Sequence, residues 1–123
     1  LSLYLYILYI SIVEHLMDIF RTVLTTKEYS TRAFDLTTEI LEQNAGNYTV
    51  WQYRRECLLQ LKTDLQLELD YLDTYADDNP KNYQIWYHRR VIVQHANDPT
   101  RELGFTFKVF EDDAKNYHAW AHR

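Results

Sequence analysis

The sequence predicts an all-α chain, an α-α superhelix in which helical hairpins follow one another as a right-handed solenoid. Three observations carry that expectation. The signature Asn-Tyr-x-x-Trp-x-x-Arg occurs at residues 47–54 (NYTVWQYR), 82–89 (NYQIWYHR) and 116–123 (NYHAWAHR), at intervals of 35 and 34 residues. A period of this length is that of stacked helix pairs, none of which can bury its apolar face without a neighbour. All three tryptophans fall on one position of the period. Upstream of each signature, apolar residues recur at i, i+3, i+6 and i+7, which is one face of a helix.

Taken in order, residues 1–13 are apolar apart from serine and tyrosine hydroxyls. That is short of the roughly 20 apolar residues that span a bilayer. A basic n-region and a small-residue cleavage site, which would mark a signal peptide, are both missing. Residues 1–12 therefore read as an atypical, unassigned leader, and no membrane span is expected. A degenerate capping helix follows over 13–26, with Leu16, Ile19, Phe20, Val23 and Leu24 on one face and Leu16 placed 35 residues before Trp51.

The first full repeat covers residues 30–60, with Phe34, Thr37, Ile40 and Leu41 on its helix A. Gly46 sits in its turn, and helix B runs from Asn47 through Trp51, Leu58 and Leu59. The second, residues 64–95, repeats this with Leu69, Leu72, Tyr75 and Ala76, then Pro80 in the turn, then Asn82, Trp86, Ile92 and Val93. In the third, residues 98–123, Asp98-Pro99 reads as an N-cap with a proline at the first helical position. Its helix A carries Leu103, Thr106, Val109 and Phe110, and helix B begins at Asn116. Each signature Asn is a favoured N-cap, because its side chain accepts from an otherwise orphan amide. The third helix B is cut short, so the native protein is expected to continue into further repeats.

Composition narrows the function. The 123 residues suffice for one domain, and a net charge of -5 argues against nucleic-acid binding, which needs clustered Lys and Arg in excess. The single cysteine, Cys57, rules out an internal disulfide or a Cys-based zinc site made by this chain alone, and suits a reducing, cytoplasmic setting.

Comparing copies separates scaffold from variable positions. Trp51, Trp86 and Trp120 read as core. Arg54, Arg89 and Arg123 are expected to pair with the acidic residues that close each helix A, around Glu42, Asp77-Asp78 and Glu111-Asp112, since carboxylates there need a cation near them. His118 and His122 stand at i, i+4, but the residue after the first is Ala119, not the Glu of a zincin. His88 and His122 share a repeat position that Tyr53 fills in the first copy, which points to packing, and no metal site is expected. What varies lies at the start of helix B: Gly46, Lys81 and Lys115 before the Asn, and Thr49, Gln84 and His118 two residues after it. Helix N-termini present free amides and partial positive charge to anions, and lysines sharpen that preference. Solvated turn lysines, with Gln84 and His118 filling gaps between repeats, remain the alternative.

The strings NYTVWQYRR, PKNYQIWYHRR and DAKNYHAWAHR resemble the protein prenyltransferase α-subunit repeats, above all those of the α subunit shared by farnesyltransferase and geranylgeranyltransferase type I. The similarity runs over residues 14–123. It implies a crescent of hairpins wrapped around a separate β subunit, in a heterodimer that transfers a prenyl group from its diphosphate to the cysteine of a C-terminal CaaX motif. The β subunit would hold the zinc, with magnesium a further candidate in the holoenzyme and no metal bound by this chain. By matching motif, Lys81 would contact the prenyl diphosphate and stabilise charge on the leaving group. Gln84, with Tyr48, would receive the CaaX carboxylate. Tyr83, Tyr117 and His118 would line the diphosphate and isoprenoid site.

Two alternatives stand beside this. A tetratricopeptide-like binding scaffold has the same period, but it calls for small residues at fixed places in both helices, whereas here the Trp opens helix B and the two glycines share no repeat position. A Rab geranylgeranyltransferase α subunit would be favoured by downstream leucine-rich repeats or an inserted β domain.

Overall fold

A computed structural model of the chain describes residues 2–123. Among these, seven α-helices and no strand are found: α1 (Ser2–Thr26), α2 (Thr31–Gln43), α3 (Tyr48–Leu61), α4 (Leu65–Asp78), α5 (Tyr83–Ala96), α6 (Glu102–Asp112) and α7 (Tyr117–His122). The all-α class and the alternation of A and B helices are as the sequence predicts. Residues 1–62 and 63–123 form two compact units. In the first, α2 packs against both α1 and α3; in the second, α4 packs on α5, and α7 lies against α5 and α6.

Every helix B starts by one device. Asn47 accepts from the Val50 amide at 3.2 Å, Asn82 from Gln84 at 2.9 Å and Ile85 at 3.3 Å, and Asn116 from Ala119 at 3.2 Å. One turn on, the tryptophan indole donates back to the carbonyl six residues earlier. Trp51 reaches Ala45 at 2.7 Å, Trp86 reaches Pro80 at 2.9 Å and Trp120 reaches Ala114 at 2.8 Å. Cap and indole together satisfy polar groups on both sides of the turn, which burial would otherwise leave unpaired.

Helix ends repeat as well. Lys27, Lys62 and Asn97 adopt left-handed φ values of 53°, 52° and 51° directly after α1, α3 and α5. They are spaced by 35 residues, which puts the C-terminal part of α1 in register with the B helices. Asn tolerates this conformation, whereas lysine carries a Cβ cost.

Several expectations need correction. Residues 1–12 and 13–26 are not separate segments: one helix runs from Ser2, with Leu1 outside the described residues. At 25 residues α1 is long and apolar enough to cross a membrane by length and composition, so shortness no longer excludes it. Asp98 is not an N-cap. Its carboxylate instead accepts from the Thr100 amide and hydroxyl at 3.1 and 2.7 Å, and α6 starts only at Glu102 with no side-chain cap. Ile19, Leu59 and Leu103 are exposed, because successive helical residues stand about 100° apart and the adjacent Phe20, Leu58 and Glu102 take the packed side. Trp51 and Trp86 are core, yet Trp120 remains 55% exposed, since one face stacks on Phe110 at 4.1 Å and none of the described helices covers the other.

Trp51→Phe keeps most of the apolar volume but removes the indole N–H that donates to the Ala45 carbonyl. It should lower unfolding free energy by about 1–2 kcal/mol, read as a lower urea midpoint at constant slope.

Candidate functional site

In the second unit, the starts of α5 and α7 carry the variable residues on the exposed side of the scaffold. Lys81 and Lys115 each precede the capping Asn; both are exposed, and neither ammonium has a hydrogen-bond or ion-pair partner among the described residues. The Asn116 amide group donates to the Pro80 carbonyl at 2.9 Å, which ties the α6–α7 turn to the α4–α5 turn. Lys81, Asp113, Lys115, Asn116, Tyr117 and His118 line a cleft of about 470 Å³.

Aromatic rings join the two helix starts. Tyr83 lies stacked with Tyr87 at 6.2 Å and edge-on to His118 at 6.0 Å, and His118 meets Tyr117 edge-on at 5.7 Å. Tyr83 and Tyr117 are 60% and 77% exposed, far more than packing requires. Unpaired ammonium groups, the positive end of the 14-residue α5 and exposed rings make a surface suited to an anion with an apolar substituent. Asp113 tempers that charge; its carboxylate accepts from the Lys115 amide at 3.1 Å.

Four expected residues, Lys81, Tyr83, Tyr117 and His118, thus come together. Gln84 is half-buried on α5 and does not line the cleft, and Tyr48 occupies the matching exposed position at the start of α3 in the first unit. Tyr87 was not expected; its signal is its place one turn after Tyr83. A second cavity of about 450 Å³ includes Asp73, Arg101, Phe105 and Lys108 in its wall, but its guanidinium is already taken by Asp70 and Asp73 at 2.9 and 2.6 Å.

A buried ionic network in the second unit corrects the expected partner of Arg89. Arg89 does not pair with Asp77 or Asp78. It makes a two-pronged contact with Glu102, both bonds 2.7 Å, and reaches Asp73 at 2.7 Å. Arg54 meets Thr37 and Thr38 at 3.1 and 2.6 Å, and Arg123 meets Thr106 at 3.2 Å. Thr37, Asp73 and Thr106 lie in the middle of their helix A, one to two turns before its acidic end, whereas Glu102 opens α6. Their guanidinium faces pack on rings, Arg54 4.1 Å over Phe34 and Arg89 3.4 Å over Phe105.

The shared histidine position also has a polar partner. His88 Nε2 lies 2.7 Å from Glu68, and His122 Nε2 lies 2.9 Å from Glu102. Glu68 and Glu102 are themselves one 34-residue period apart, a recurrence visible in the sequence but hidden by the surrounding apolar letters. In the first repeat Ala33 takes the glutamate position, and Tyr53 sends its hydroxyl to the Glu28 carbonyl instead. Burial pushes the Glu102 carboxyl up, but hydrogen bonds from His122 and Arg89 outweigh it and hold it at about 2. Among the described residues no group of three His, Cys, Asp or Glu could hold a metal ion. The Cys57 thiol, buried and pushed up to about 11 by that burial, is a packing group rather than a ligand or nucleophile.

The repeats match the family described as protein prenyltransferase alpha subunit repeat over residues 30–61, 65–96 and 99–123. The chain belongs to the protein prenyltransferase alpha-subunit repeat family. Among curated relatives, the protein farnesyltransferase/geranylgeranyltransferase type-1 subunit alpha of Schizosaccharomyces pombe is 44% identical over 89 residues, 72% of this chain and 30% of the relative. That of Solanum lycopersicum is 50% identical over 65 residues, 53% of this chain and 19% of the relative. A solved structure, Candida albicans protein geranylgeranyltransferase-I complexed with GGPP, superposes with a TM-score of 0.81 at 33% identity, covering 92% of this chain and 40% of its own. The chain thus spans less than a third of the length of these curated relatives. Membership in the prenyltransferase repeat family sets aside the tetratricopeptide alternative.

Ionised Glu102 stabilises the folded chain wherever its carboxyl would also be ionised when unfolded. Its folded value lies below the ordinary 4.5, so that contribution is complete above about pH 5 and is lost as pH falls from 4.5 towards 2. Glu102→Gln should cost about 3 kcal/mol near neutrality and flatten the acid limb of a stability-against-pH curve measured by denaturant titration.

Proposed function

We propose that this chain forms part of the α subunit of a heterodimeric protein prenyltransferase of the farnesyltransferase/geranylgeranyltransferase type I class. The reaction is transfer of a farnesyl or geranylgeranyl group to the cysteine thiol of a C-terminal CaaX motif. The bond between the prenyl C1 and the diphosphate oxygen breaks, a C–S bond forms, the thiol proton is lost, and diphosphate leaves with the electron pair. The observation that carries the reading is the pair of unpartnered lysines beside exposed tyrosines at the starts of α5 and α7. The names of the relatives support it, as does the GGPP with which the Candida enzyme is complexed.

Within that reading, the Lys81 ammonium opposes the negative charge that grows on the departing diphosphate. Because that charge is greatest in the transition state, the contribution is electrostatic and raises the rate more than the affinity. Tyr83, Tyr117 and His118 offer rings to the first isoprene unit and polar tips to the diphosphate. Gln84, with Tyr48, accepts the role of holding the CaaX carboxylate through amide and hydroxyl donors. Zinc, with magnesium as a further candidate, belongs to the holoenzyme in this reading; that no group of three His, Cys, Asp or Glu among the described residues could hold a metal ion supports assigning the zinc to the β subunit. The active site is complete only in the heterodimer, so the chain alone is expected to be inactive, and the cytoplasm is its proposed location.

The test is co-expression of the full-length protein with each candidate β subunit and assay for zinc-dependent transfer to CaaX peptides. Lys81→Ala should lower the single-turnover rate constant by roughly a hundredfold while leaving peptide KM nearly unchanged. An unaltered rate removes Lys81 from the chemistry. For Gln84→Ala the expected change is about tenfold weaker peptide binding, and equal affinity in a titration counts against its role.

A further inference from the structure

We propose that residues 2–13 of α1 enter the hydrocarbon of a lipid bilayer and hold the protein on a membrane surface. The two halves of this helix have different surroundings. Phe20 and Val23 are buried in the first unit, whereas every residue from Ser2 to Ile12 is exposed. The large apolar side chains among them are 37–69% accessible, an expanse that water does not tolerate on a folded surface without a use.

The distribution of these side chains identifies the occupant. Leu3, Leu5, Ile7, Leu8, Ile10 and Ile12 are spread around the axis at about 100° per residue, so no side of the helix is polar. A helix that docks in a protein groove, or zips to a second copy, needs one apolar stripe and keeps a polar back. Apolarity on all sides matches a medium that is apolar on all sides.

Charge sets the depth. No charged residue occurs before Glu14, after which come Asp18 and its ion-pair partner Arg21 at 2.5 Å. Carrying Glu14 and Asp18 to the bilayer centre is unfavourable, so the inserted stretch ends before them. The segment has no Lys or Arg and the chain carries a net charge of -5, so attraction comes from apolar burial and not from anionic headgroups.

The experiment is co-sedimentation of the full-length protein with sucrose-loaded vesicles of pure phosphatidylcholine. The protein should pellet with them, and the bound fraction should hold as salt rises from about 0.1 to 1 M, where exposed charges are screened. The triple variant Leu5→Asp, Ile7→Asp, Ile10→Asp should lower the partition coefficient by about a hundredfold or more. Its thermal midpoint and far-UV circular dichroism should match wild type, since all three side chains are exposed. Wild-type protein left in the supernatant, or equal pelleting of the variant, overturns the proposal. Capture that requires phosphatidylserine and vanishes at high salt overturns it too. So does a lipid-free wild-type dimer, seen by sedimentation velocity and lost in the variant, whose α1 stays off vesicles.

Discussion

An indole N–H bonded to a carbonyl six residues upstream fixes the turn between helix A and helix B in each of the three repeats, and the positions of the other functional groups follow from it. The bond holds the turn against the first turn of helix B while the Asn side chain caps the same amides. With both in place, the residue before the Asn and the one after it are exposed, and the next is half-buried in α5 and α7. Lys81, Tyr83 and Gln84, and one period later Lys115, Tyr117 and His118, are placed by that constraint, with ring contacts among Tyr83, Tyr117 and His118 added to it. The cleft is therefore a by-product of scaffold geometry that particular side chains then use.

The second constraint is electrostatic. Two glutamates, one period apart, are buried in the first turns of α4 and α6, each beside a histidine from helix B. Burying a carboxylate is costly unless it is paired and bonded. Arg89 and His122 meet that requirement at Glu102 from two different helices, so α5, α6 and α7 are held to one arrangement. Where the first repeat has Ala33 in place of the glutamate, the histidine is also gone, and Tyr53 bonds to backbone. Partner positions thus change together, which keeps each repeat free of unpaired buried charge.

Much of this was legible in the sequence because the chain carries three copies of its own pattern. The Asn caps, the turn positions of Gly46 and Pro80, and the cluster of Lys81, Tyr83, Tyr117 and His118 could be read from spacing and motif. The arginine partners could not, since a guanidinium on a long flexible stem reaches any of several turns, and the acidic ends of helix A were nearer in sequence than Asp73 or Glu102. Glu102 was hidden because a buried, paired acid looks like a surface one in letters alone. Asp98-Pro99 misled for a local reason: Thr100 offers the aspartate a nearer amide and hydroxyl than the helix does. Trp120 misled because burial depends on what lies outside, which no intrachain repeat specifies.

Every acceptor of the three indole bonds is a main-chain oxygen, belonging to alanine, proline and alanine in turn. A main-chain acceptor is present whatever residue occupies the position. The turn can accordingly drift in composition without losing its latch, provided the tryptophan and the cap survive. For a tandem array this separates heritable architecture from adaptable surface: a duplicated unit arrives with its closure intact, and its neighbouring positions are open to selection at once. The glycine at position 46 and the lysines at 81 and 115 are three outcomes of that freedom on one frame.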